Sequence, residues 1–186
     1  MILMTGQAGN DQFYYTDLLE GKDQITDFTV GQDTLLFAHT PTSGYSRSGL
    51  YTDGTNQGAA FDITSAGGGS IPTIFIFSNT TFNGVTSSAD LANRASSFSL
   101  SNGGTAIGGE TAFVLTPAGS GGGVDVFVWT DGQNIDPAQF GSGNIANDGN
   151  FDTDELAYIA ELGSSTNINS ITSTSFAFQT ITGFSA

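Results

Sequence analysis

Cysteine is absent from this chain, which excludes disulfides, thiolate metal sites and cysteine nucleophiles. Histidine occurs once, at His39, so a His-rich zinc centre of the H-E-x-x-H kind is excluded as well. Basic residues are scarce: 3 Lys plus Arg stand against 18 Asp plus Glu, for a net charge of -15. Beyond Arg94 nine acids follow without a single base, so the negative field gathers in the C-terminal half. Nucleic acid and anionic membranes are themselves polyanions, and neither is an expected partner. No apolar run is long enough for membrane insertion. The opening Met-Ile-Leu-Met-Thr-Gly lacks the basic flank and apolar length of a signal peptide, so no N-terminal export address is expected.

What is present points to a folded, β-rich chain. At 186 residues it is about one domain long, and 38% hydrophobic content with 15 Phe and 5 Tyr supplies a core. Gly, Ser, Thr and Asn are abundant, and carboxylates in such excess make a divalent cation a natural partner. Short strands are expected over residues 12–15, 24–28 and 34–37, with a further one over 59–64. Residues 71–79 (IPTIFIFSN) form a run of apolar β-formers suited to a core strand, and an exposed β edge there would support self-assembly. Residues 87–95 carry the one helical signal, with Ser87 or Ser88 as cap and Asp90 in the first turn. Strands are then expected over 111–116 and over Val124–Thr130, where Val124, Val126 and Val128 alternate with Asp125, Phe127 and Trp129. Residues 155–162 read as a strand, and 167–184 as a Ser/Thr-rich closing strand.

The stretch that organises the rest is residues 5–37. Gly6-Gln7-Ala8-Gly9-Asn10-Asp11-Gln12-Phe13-Tyr14 matches the nonapeptide G-G-x-G-x-D-x-U-x at every fixed position but the second, where Gln7 stands for glycine. In that pattern glycine carbonyls and the Asp11 carboxylate form a cation-binding turn, and Phe13 points inward. Asp23-Gln24-Ile25-Thr26-Asp27-Phe28 and Gly31-Gln32-Asp33 follow at short spacing. The passage resembles the end of an RTX calcium-binding β-roll, as in the non-catalytic C-terminal domain of serralysin-type secreted proteins. The resemblance implies Ca2+ at Gly9 and Asp11; one repeat supplies only half a site, so either Asp23, Asp27 or Asp33 completes it or further repeats upstream of this chain do. It also implies type I secretion machinery as a partner, a secreted or cell-surface location, and a secretion signal for which residues 170–186 are the candidate. The fold expected from it is the end of a β-roll over 5–37 continuing into an antiparallel β-sandwich or roll over 38–186, within one mostly-β domain with one short helix.

A second acidic constellation lies in the loop after Val124–Thr130. Asp148, Asn150, Asp152 and Asp154 place an oxygen ligand at every second residue, with Gly149 to turn the backbone. That is how a loop wraps one calcium, although the spacing is not an EF-hand's. Asp131 and Asp136 are candidates to complete the shell. Enzyme signatures are missing: His39 has no G-x-S-x-G elbow to serve, no phosphate-binding loop surrounds Lys22, and no carboxylate pair stands out for glycoside cleavage. Trp129, Tyr45 and Tyr51 could line a sugar-binding face. The expected function is a non-enzymatic calcium-binding module that folds on calcium after export. The rival is a self-assembling or adhesive surface protein (an S-layer, biofilm or filament subunit) whose partners are other copies or surface polysaccharide.

Overall fold

A computed structural model describes residues 1–16, 22–38, 46–47, 49–53, 61–62, 70–119, 122–132 and 148–179. The chain is mostly strand, as its β-branched and aromatic runs require. Strands β1 (Leu3–Met4), β2 (Gln12–Tyr15), β3 (Asp23–Ile25) and β4 (Thr34–Phe37) open it. Next come β5 (Ser46–Arg47), β6 (Leu50–Asp53), β7 (Phe61–Asp62), β8 (Ser70–Ile71) and β9 (Ile74–Phe77). Helix α1 (Ser88–Arg94) precedes β10 (Leu100–Asn102), β11 (Thr105–Ala106), β12 (Thr111–Pro117) and β13 (Val124–Thr130). The last two strands among the described residues are β14 (Leu156–Leu162) and β15 (Phe176–Phe178).

The main sheet has seven strands in the order β1-β3-β14-β13-β12-β9-β6, and a three-stranded sheet β15-β4-β2 lies over it. Antiparallel pairing in the main sheet is confined to β12–β13–β14; the flanking pairs, and all of the three-stranded sheet, are parallel. Within residues 38–186, where an antiparallel sandwich or roll was expected, β6–β9 and β9–β12 pair in parallel. The fold is therefore β-rich with mixed sheets. The reason lies in how the chain returns. From β1 it crosses to β2 in the other sheet, then back to β3 and across to β4, so that each strand meets its predecessor 21 or 22 residues on: Leu3 pairs with Gln24, and Gln12 with Thr34. Strands β14 and β15 add a third rung to this parallel coil, Glu161 pairing with Gln24 and Phe176 with Leu35. Residues 38–155 are thus inserted between its second and third rungs.

Both faces of the main sheet are buried. One face, with Val124, Val126, Val128, Ile159 and Phe113, packs against Phe13, Tyr15, Leu35 and Phe176 of the smaller sheet. The other, with Phe75, Phe77, Phe127 and Trp129, is covered by Leu91 of α1 and by Phe82, Phe98 and Phe151. Phe98 and Phe151 stack at 4.1 Å, with Phe75 and Trp129 edge-on to them. Each such pair adds about 0.5–1.5 kcal/mol beyond its buried area. Helix α1 forms as expected. Ser87 Oγ accepts from the Asp90 N–H, and Arg94 reaches back to the Asp90 carboxylate and to the carbonyls of Thr81 and Asn83.

Two expectations are corrected by this burial. Strand β9 is no exposed edge, because it lies between β12 and β6 and all four of its side chains are buried. An unbroken apolar run is soluble only with both faces covered. Trp129 likewise lies in the core and lines no surface, and Tyr51 packs edge-on against Phe75. His39, Tyr45, Asp136 and residues 180–186 of the candidate signal lie outside the described residues.

Candidate functional site

In the opening segment the turn that joins β1 to β2 stacks on the turn that joins β3 to β4. Gln7, standing in the repeat's glycine position, adopts φ 68, the left-handed conformation that glycine takes at no steric cost. Gly6 has no room for a side chain, since a Cβ there would meet Asp11 Oδ2 at 2.5 Å. Gly9 is exposed at φ 146. Phe13 points inward and is buried.

The acids of this segment serve chiefly as acceptors for backbone N–H groups of the preceding rung. Asp23, itself buried, accepts from Ile2 N at 2.6 Å. Asp27 accepts from Gly6 N and Gln7 N, and these two bonds hold its carboxyl below the ordinary carboxylate range. Asp33 accepts from Asp11 N at 3.0 Å and from Thr29 N at 2.7 Å. Asp11 and Asp33 occupy equivalent places in successive rungs, yet among the described residues nothing hydrogen-bonds the buried Oδ2 of Asp11. These bonds tie each rung to the one before it, and of the four acids Asp11 is the one with a buried oxygen that has no hydrogen-bond partner among the described residues.

The second constellation lies at the other end of β14, roughly 20 Å away at about 3.4 Å per residue, so the two groups cannot share an ion. Asp148 Oδ1 accepts from Asn150 N, making a local turn. Asp131 receives the N–H groups of Gly109, Asp148 and Gly149, which ties this turn to the end of β13. Gly149 is locked there: at φ 75, an added Cβ would meet the carbonyls of Leu100 and Ile107 at 2.6 Å. Asn150 and Asp152 line a cavity of about 330 Å³ beside Asn93, Ser96 and Thr153. Asp154 is 3% exposed, and its Oδ2 has no hydrogen-bond partner among the described residues.

These acids crowd one another. Burial raises the Asp152 carboxyl, and the charges of Asp148 and Asp154 raise it further. Burial pushes Asp131 up to about 6 despite its three N–H donors. Glu155, fully buried, rises to about 8 through burial, although Gly132 N donates to it at 2.6 Å and Trp129 Nε1 at 3.4 Å; the charges of Asp131 and Asp152 also push it up. Desolvated, mutually repelling carboxylates with an unpartnered buried oxygen are what a hard cation relieves. Among the described residues no three His, Cys, Asp or Glu side chains are arranged to hold a metal ion, so a calcium shell here has to draw on amide and carbonyl oxygens such as Asn150 Oδ1. Glu155 escaped sequence reasoning because only the fold buries it. Its one sequence signal is its place at the end of the acidic run, directly before a strand.

Among the described residues no helix is long and apolar enough to cross a membrane. Comparison with protein-family models, with curated proteins and with solved structures finds no match to this chain.

Proposed function

We propose that this chain is a non-enzymatic calcium-binding module of an RTX-like secreted or cell-surface protein. The observation that carries this reading is Asp154: a buried carboxylate oxygen without a hydrogen-bond partner among the described residues, next to Asp152 in a loop of mutually repelling acids. Calcium supplies the missing positive charge and accepts the mixed carboxylate, amide and carbonyl ligands that a loop of alternating Asp and Asn offers. The parallel coil of residues 3–37, with turns in which carboxylates meet the backbone of the previous rung, supports the β-roll part of the reading. Where free calcium is scarce the acidic loop stays repulsive and loosely held. Where calcium is plentiful, binding drives the loop and its strands together. That coupling suits passage through a type I export machinery before folding.

The test is thermal unfolding in EGTA, in millimolar calcium and in millimolar magnesium. Calcium at about 100 times its Kd adds about 2.7 kcal/mol, which for a chain of this size is a rise of about 5–10 °C in Tm. Asp152→Ala or Asp154→Ala abolishes the rise, whereas Asp11→Ala preserves most of it. An equal rise in magnesium, or none in calcium, refutes the reading.

A second reading, self-association on a cell surface, is favoured by one observation. Among the described residues both sheets end at the first rung in edge strands, β1 and β2, where Ile2, Leu3 and Tyr14 are exposed. Calcium-dependent oligomers in sedimentation, in place of a calcium-stabilised monomer, would move this reading ahead.

A further inference from the structure

Strands β13 and β14 carry an irregularity that gathers four polar side chains at one place. Phe127 pairs with Tyr158 and Asp125 with Glu161, so β14 spends one residue more than β13 between these pairs. The bulge turns two consecutive residues, Ile159 and Ala160, to the same core face. As a result Tyr158 and Glu161, which are three positions apart, share the opposite face with Asp125. Bulges of this kind are commonly used to re-aim side chains at sites. Lys22, just before β3, completes the group: its Nζ lies 2.6 Å from Glu161 Oε2 and 4.4 Å above the Tyr158 ring. Phe127 stacks on Tyr158 at 4.4 Å, and the Tyr158 hydroxyl donates to Asp125 Oδ1.

These four residues line a cavity of about 270 Å³. Its facing wall joins Val85, Thr86 and Ala118 to the backbone of Gly84 and Gly119, which approach so closely that a Cβ on Gly84 would meet Gly119 Cα at 3.3 Å. The mouth is open, with the Lys22 and Glu161 side chains 36% and 28% exposed. Asp125 lies at the base, 2% exposed.

We propose that this pocket binds one unit of a neutral polyhydroxylated ligand, a single sugar ring. The donor set selects that class. Lys22 and Glu161 already neutralise each other, so a cationic ligand would have to displace the ammonium. An anionic ligand meets two carboxylates within a chain of net charge -15. Hydroxyl groups both donate and accept, and vicinal hydroxyls bridge carboxylates and an ammonium without disturbing their balance. The volume lies below the roughly 300 Å³ at which drug-sized pockets begin, which suits one ring and excludes a buried oligomer. The site lies at the far end of β13 and β14 from the acidic loop and does not rest on the calcium reading.

Saturation-transfer NMR with the methyl glycosides of glucose, galactose, mannose and N-acetylglucosamine, each at millimolar concentration, tests it. Transfer to at least one glycoside is expected. Its Kd should rise by about tenfold or more in Glu161→Gln and in Asp125→Asn, as loss of a charge-assisted hydrogen bond implies. Glu161 is at the surface, so Glu161→Gln is a variant that keeps its fold, checked by an unchanged Tm. Absence of transfer to all four glycosides overturns the proposal, and so does transfer that neither Glu161→Gln nor Asp125→Asn weakens.

Discussion

Asp125 occupies a face of β13 that its neighbours Phe127 and Trp129 make apolar, and the Tyr158 hydroxyl is its hydrogen-bond donor. Burial pushes its carboxyl up to about 6; the Tyr158 hydrogen bond and the Lys22 charge pull the other way without undoing this. The Tyr158 phenol, buried and beside that carboxylate, is held protonated. Because the folded state holds this proton more tightly than the unfolded chain does, Asp125 contributes stability that is complete below about pH 4 and is lost as pH rises through about 6. Asp125→Asn keeps an acceptor for Tyr158 and removes the charge. Urea unfolding in EGTA at pH 5 and pH 7.5 should therefore show the wild type losing more stability with rising pH than Asp125→Asn does. Parallel pH dependence in the two proteins would mean that Asp125 stays ionised throughout.

The element that tests the local reading best is the first turn of the coil. A residue other than glycine held in the left-handed region costs about 1–2 kcal/mol, and glycine's greater unfolded-state entropy takes back about 0.5–1 kcal/mol. Gln7→Gly should accordingly stabilise the chain by about 0.5 kcal/mol, measurable as a shifted urea midpoint. Gly6→Ala, which drives a methyl into Asp11, should destabilise it. A gain from Gly6→Ala, or a loss from Gln7→Gly, would mean that the turn has another shape. Here the sequence was readable: the nonapeptide's turn, its strand at Gln12–Tyr15 and its inward Phe13 all stand where the pattern puts them. Helix α1 was readable for the same reason, since a cap and its first turn are neighbours in sequence. The bulge in β14 was not. Strict alternation sends Tyr158 and Glu161 to opposite faces, and only pairing with β13 reveals the extra residue.

At the scale of the whole molecule, a net charge of -15 sets a repulsion that any salt weakens and a bound divalent cation removes locally. In EGTA, raising sodium chloride towards 1 M, where the Debye length is about 3 Å, should raise Tm by a few degrees. Millimolar calcium should exceed sodium chloride at matched ionic strength, because site binding adds to screening. If matched sodium chloride reproduces the whole calcium effect, general repulsion is all that calcium relieves.

What the sequence determined by itself was local. Absent cysteine and a lone histidine removed whole chemistries, and alternation in VDVFVWT placed valines on one face of β13 and Phe127 and Trp129 on the other. What only the tertiary structure decided was which distant parts meet. Strands β14 and β15, more than 130 residues beyond β3 and β4, complete the same parallel coil. Asp23, Asp27 and Asp33, candidate ion ligands by the β-roll resemblance, are drawn to the backbone of the rung before them, while Glu155 and Asp125 acquire raised pKa values through burial. Turn and strand propensities act over a few residues, whereas pairing, desolvation and charge crowding depend on neighbours in space.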